Sequence, residues 1–161
     1  MKPILFILFA FLSISFAKAQ KNHQETLSAL MTNSENDFAN ILGEKQGEED
    51  DTIYFGSTVK FNTGYEFIAQ SIQTKAAIYV LSADYPAAKD LEKEIKKFIR
   101  AHYSKSPYSV TEKKNEGEGL YTLEVWNKSD VEAMIILQVG EDSEDHSRFL
   151  MLSILGNNMK N

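Results

Sequence analysis

Histidines and carboxylates are the side chains with which this chain could bind a metal or move protons, and their spacing is informative. Histidine occurs at His23, His102 and His146. None has a partner two or four residues away, the spacings that bring two imidazoles to one ion from a strand or a helix. They read as solvated or locally bonded rings, with His102 set near the negative end of a helix. Acids are plentiful, but they mass in two runs, Glu48-Glu49-Asp50-Asp51 and Glu141-Asp142 with Glu144-Asp145. A glycosidase-type pair needs two carboxyls facing across roughly 5 to 9 Å with one in an apolar pocket. Acids massed in polar turns read instead as solvated loop charge. Asp142, Glu144 and Asp145 offer oxygens to calcium, yet a calcium loop alternates its ligands, turns on a glycine and closes with a distal glutamate. A tight hairpin between apolar strands is the plainer expectation there.

The chain has no cysteine, so a thiol nucleophile, a thiolate metal site and a cysteine-borne lipid are all excluded. It has no G-x-S-x-G elbow, no phosphate-cradling glycine loop and no dinucleotide fingerprint. The expectation is no catalytic residue, no cofactor and no metal. With 17 basic against 23 acidic side chains, there is no excess cation to neutralise phosphates or anionic lipid, so nucleic acid and lipid surfaces are disfavoured as partners. Aromatic residues remain. Tyr54, Tyr65, Tyr79, Tyr121 and Trp126 fall on predicted strands, where alternation turns some of them outward. Tyr and Trp offer large contact area at small entropic cost, which makes Tyr121 and Trp126 candidate partner-binding residues. The competing reading is that these rings pack under the first helix.

The compartment is written in MKPILFILFAFLSISFAKAQ. One basic residue, Lys2, precedes an apolar run from Ile4 to Phe16, and Ala17-Lys18-Ala19 supplies small residues for a peptidase. That order is a secretory signal, and the run falls short of the roughly 20 apolar residues of a membrane-spanning helix. Residues 1–19 are read as a cleaved signal and 20–161 as one domain. Removing 19 of 161 residues leaves 142, and losing Lys2 and Lys18 takes Lys+Arg from 17 to 15 against 23 acids, a net charge of −8. The mature chain is expected in the periplasm or outside the cell, with no stable membrane insertion.

Within the domain, Leu27, Leu30, Met31, Phe38, Ile41 and Leu42 make a helical stripe from Asn22 to Gly43, with Gly43 as its stop. The acidic GEKQGEEDD that follows reads as an exposed loop. TIYFGSTVKF, Thr52 to Phe61, alternates as a strand with one buried face. Residues 65–74 suit either a helix or a strand, with a slight lean to strand. KAAIYVLS reads as a buried strand ending at Ser82. After it, Asp84 is placed to cap a long amphipathic helix to Ser104, whose face is Ala87, Leu91, Ile95, Phe98, Ile99 and Tyr103. Four strands follow with short polar turns, an antiparallel meander. The last two, MIILQV and FLMLSIL, are apolar at nearly every position, so both faces of each are expected to be covered. One helix covers one face. The other is left for the first helix, a neighbouring subunit or a ligand groove. No internal repeat is legible.

From Ala76 to Asn157 the chain resembles a family of small exported bacterial domains of unknown function. The resemblance lies in IYVLSAD, the charged helix LEKEIKKFIRAHY, a hairpin, and the closing FLMLSILGNN. Asn157 and Asn158 stand where that family commonly places an acidic residue. The resemblance covers about half the chain and implies a non-enzymatic envelope role, with no catalytic residues to carry over. The expected fold is α+β: an antiparallel sheet of five to seven strands, one long helix from Asp84 to Ser104 across one face, and an N-terminal helix packed elsewhere. The expected function is an exported binding module working through the uncovered sheet face, with an envelope protein or a second copy as partner. The alternative is a cofactor-free hydrolase using a carboxylate pair.

Overall fold

The computed structural model describes residues 23–85, 87–115, 120–129, 132–142 and 146–160. The signal expected over residues 1–19, Pro86, and the calcium candidates Glu144 and Asp145 lie outside the described residues.

Helix α1 spans residues 23–34, a shorter run than the stripe to Gly43 predicts. Asn33 turns its side-chain amide back to the Ala29 carbonyl (2.8 Å), and the Ser34 hydroxyl donates to the Met31 carbonyl (2.8 Å). Such local bonds compete with helix propagation. Asp37 and Phe38 then adopt left-handed backbone (φ 53° and 61°), which reverses the chain and drops Phe38 into the core, its ring 6.4 Å from that of Tyr79. A left-handed aromatic residue is costly, and full burial of its ring offsets that cost. After a short 3-10 turn, Ala39–Ile41, strand β1 (Leu42–Glu49) begins. Gly43 is therefore not a helix stop. It lies where β1 crosses close to β2, and a Cβ there would stand 2.8 Å from the Gly56 carbonyl oxygen.

The acidic segment read as a loop is this edge strand. It makes a hairpin with β2 (Thr52–Ser57) through the tight turn Asp50-Asp51. An edge strand with few buried positions needs no apolar alternation, so its sequence looked like a loop. Strand β2 ends at Ser57, not Phe61. Next come β3 (Tyr65–Ser71), which fixes the ambiguous segment as strand through residue 71, and β4 (Ala77–Tyr85). Because β4 pairs through Asp84 and Tyr85 with Phe149 and Arg148, Asp84 does not cap a helix. Helix α2 runs Lys89–Tyr103 and buries Leu91, Ile95, Phe98 and Ile99. Strands β5 (Tyr108–Asn115), β6 (Leu120–Asn127), β7 (Ile135–Glu141) and β8 (Arg148–Leu155) form the expected meander, and a short helix α3 (Asn157–Lys160) closes the chain.

All eight strands join one antiparallel sheet in the order β1-β2-β3-β4-β8-β7-β6-β5. That exceeds the five to seven expected, the addition being the acidic edge strand. Two helix-plus-meander halves, α1 with β1–β4 and α2 with β5–β8, meet at the central β4–β8 pair. The fold thus repeats where no repeat is legible in the sequence. One register row reads Ile68, Tyr79, Ile154, Ile135, Val125, and the next reads Leu81, Leu152, Leu137, Leu123. Both rows are fully buried.

Both long helices lie over these rows. Phe38, just beyond α1, meets Tyr79; Tyr103 of α2 meets Tyr108 edge-on at 4.9 Å; and Gln24 of α1 donates to Glu94 of α2 at 3.2 Å. The N-terminal helix therefore packs beside α2 on the same face, and not elsewhere. The reason is width: a sheet of eight strands is roughly 34 Å across, whereas a helix covers about 10 Å. At the end of β8, Gly156 is held by its N–H to the Ala77 carbonyl (2.7 Å), and a Cβ there would meet Asp37 Oδ1 at 2.4 Å. Asp37 in turn accepts the Asn158 N–H at 3.0 Å, so the turn after α1 closes against the segment after β8.

Candidate functional site

Alternation sends every second strand residue to the face without helices. Its register rows read Tyr54, Ala69, Ile78, Leu155; then Phe67, Val80, Ser153, Ile136; then Tyr65, Ser82, Met151, Gln138. Phe67, Ile78, Val80, Ile136 and Met151 are half-buried, shielded by their neighbours on the sheet. Tyr65 is 62% exposed, the large apolar side chain most open to solvent among the described residues. Phe67 centres an aromatic cluster, with Tyr54 packed edge-on at 5.8 Å and Tyr65 at 5.4 Å. The expectation that both sides of the closing strands are covered is met on one side by helices. The other side carries no long helix among the described residues.

The two candidate partner residues part company. Trp126 lies on the uncovered face, half-buried, and its indole N–H donates to Glu124 at 3.2 Å. Glu124 is also held by Lys113, at 3.2 Å, which orients the ring at the β5–β6 side of the face. Tyr121 lies on the opposite face beneath α2, with the Lys96 ammonium 3.8 Å above its ring. Burial raises the Tyr121 hydroxyl above the usual tyrosine range, partly offset by Lys96. Five residues separate the pair, an odd number, so a strand must place them on opposite sides. Phe67, Val80, Ile136 and Met151 were missed as surface candidates. The signal lay in YEFIA, where Tyr65 and Phe67 share one parity; Tyr54 joins them through the β2–β3 register.

A second concavity lies between the helices. Two adjoining cavities of about 390 and 410 Å³ share Ser28, Phe98 and His102 in their walls. The inner one reaches Glu35, Tyr103 and Tyr108, and the Tyr103 hydroxyl is pushed up to about 12 by burial, with Tyr108 and Glu35 adding to it. His102 Nδ1 faces the Phe98 carbonyl at 2.9 Å, and its ring stacks on Phe98 at 4.3 Å. Since a carbonyl only accepts, Nδ1 carries the proton in this contact.

Two of the histidines make local contacts. His23 packs against Phe61, 6.0 Å between rings, and His146 meets Glu141 at 3.0 Å. No group of three metal-ligating side chains gathers among the described residues. The Asp142 N–H donates to the Ser147 carbonyl at 2.7 Å, tying the β7–β8 turn. Among the described residues, the most buried carboxylate is Glu66, which accepts the Phe61 and Asn62 N–H groups, each at 2.8 Å, and the Tyr79 hydroxyl. Those bonds pin the loop 58–64 to the sheet. Burial, reinforced by Glu66, holds the Tyr79 hydroxyl far above the usual tyrosine range. The buried Glu94 is engaged by Gln24. Among the described residues, no helix is long and apolar enough to cross a membrane. No family model, curated protein or solved structure matches this chain.

Proposed function

We propose that this protein is an exported, non-catalytic binding module whose partner surface is the helix-free sheet face. The observation that carries the reading is the one-sidedness of the cover: α1 and α2 both sit on one face, leaving Phe67, Val80 and Ile136 in one register row and Met151 in the next on the other. Contiguous apolar surface of this kind marks interaction sites. Export rests on the order of residues 2–19, with basic, apolar and small residues in the sequence of a secretory signal. The resemblance of residues 76–157 to exported envelope domains points the same way.

Photocrosslinking tests the surface. A photoreactive side chain placed at Phe67 or Met151 is expected to form adducts in cells, whereas one at Lys93, on the solvent side of α2, is not. Equal yields from all three positions would remove the assignment.

A further inference from the structure

Resting on that reading of the sheet face, we infer that its occupant is a second copy of this chain, stacked face to face to make a two-layered sandwich. Area is the first argument. Eight strands spaced about 4.8 Å apart, with about six residues per strand at about 3.4 Å each, make a face of roughly 700 Å². One partner in a standard interface contributes roughly 800 Å². Charge is the second. Across β2, β3, β4, β8 and β7, Asp84 is the one charged side chain on this face among the described residues, and it lies toward one end of β4. The paired Lys113 and Glu124 lie on the β5–β6 side. An apolar centre with charges displaced to the rim is the anatomy of an interface between proteins.

Strand addition at the edges is the competing route to a dimer, and both edges are closed to it. β1 carries Glu44, Lys45, Glu48 and Glu49 with two register shifts, and β5 carries Glu112, Lys113 and Lys114. Charges and bulges on an edge strand oppose such pairing. A copy also supplies the matching shape. Two sheets of equal twist stack about 10 Å apart with their strands roughly 30° off parallel, and only an identical chain brings the same twist by construction.

Sedimentation of the purified protein decides the matter. The expected result is twice the monomer mass at concentrations of tens of micromolar, since interfaces of this size run from about micromolar to picomolar affinity. Ile136→Lys is expected to weaken the dimer at least a hundredfold. Tyr65→Glu, at a position open enough to leave folding intact, is expected to weaken it about tenfold, with an unchanged far-ultraviolet circular dichroism spectrum. Monomer mass at 100 µM would overturn the inference, as would a dimer unmoved by both substitutions. The photocrosslinking adducts separate the two readings. Adducts from Phe67 of any mass other than a dimer's, given by a monomeric protein, keep the binding surface and end the self-pairing.

Discussion

Glu66 shows how one buried charge organises a loop. Its two carboxylate oxygens accept from Phe61, Asn62 and Tyr79, so Glu66→Ala strands two buried donors, the Phe61 N–H and the Tyr79 hydroxyl, and frees the Asn62 N–H toward solvent. Each buried donor left without a partner costs about 1–3 kcal/mol. The expected loss is at least about 2 kcal/mol, read as a lower urea midpoint with little change in slope. Tyr103 gives a prediction in pH. An unfolded tyrosine titrates near about 10, whereas burial in the inter-helix groove raises Tyr103 to about 12. A raised folded value means that the unfolded chain releases its proton first, so this contribution is intact below about pH 10 and lost as pH climbs toward about 12. Thermal midpoints measured from pH 9 to 12 should fall, and Tyr103→Phe should flatten the fall. Tyr79, raised in the same direction, steepens it in both proteins. None of these partners is legible from Glu66 or Tyr103 alone, because the contacts join segments 4 to 68 residues apart.

Among elements, α2, the strands beneath it and the first helix through residue 34 were legible, whereas the end of that helix and the edge strand were not. Leu91, Ile95, Phe98 and Ile99 repeat at helical spacing and all point inward, since a helix bears one apolar stripe when one side faces a core. The same logic misled for Phe38, Ile41 and Leu42, which belong to a reversed turn and the start of β1. Their spacing imitates a stripe because burial, not helicity, selects apolar residues. Covered and uncovered faces differ in energy as well as in pattern. Ile95→Ala, on the fully buried side of α2, should cost about 2–5 kcal/mol. Ile136→Ala, half-exposed on the other face, should cost about 1 kcal/mol or less in dilute protein. Chemical denaturation of the two variants checks the contrast, and equal losses would mean that something packs over Ile136.

For the whole molecule, the balance is between an apolar face and an acidic exterior. Two copies bearing −6 each repel, and salt screens that repulsion over about 10 Å at 0.1 M. Self-association through the sheet face should therefore strengthen severalfold between about 0.05 and 0.5 M sodium chloride, because screening removes the repulsion while leaving apolar contact intact. Titration by sedimentation or light scattering reads this directly. Weakening with salt would point to ion pairs as the adhesive.

The sequence by itself determined the antiparallel meander, the amphipathic α2 and the want of thiol chemistry, because periodicity and composition act within a few residues along the chain. Only the tertiary structure decided that α1 shares a face with α2, that an acidic segment becomes the sheet's edge, and which of Trp126 and Tyr121 lies beneath the helices. A strand's apolar residues record that they are shielded, but not by what. The shield comes from parts of the chain brought near only by folding.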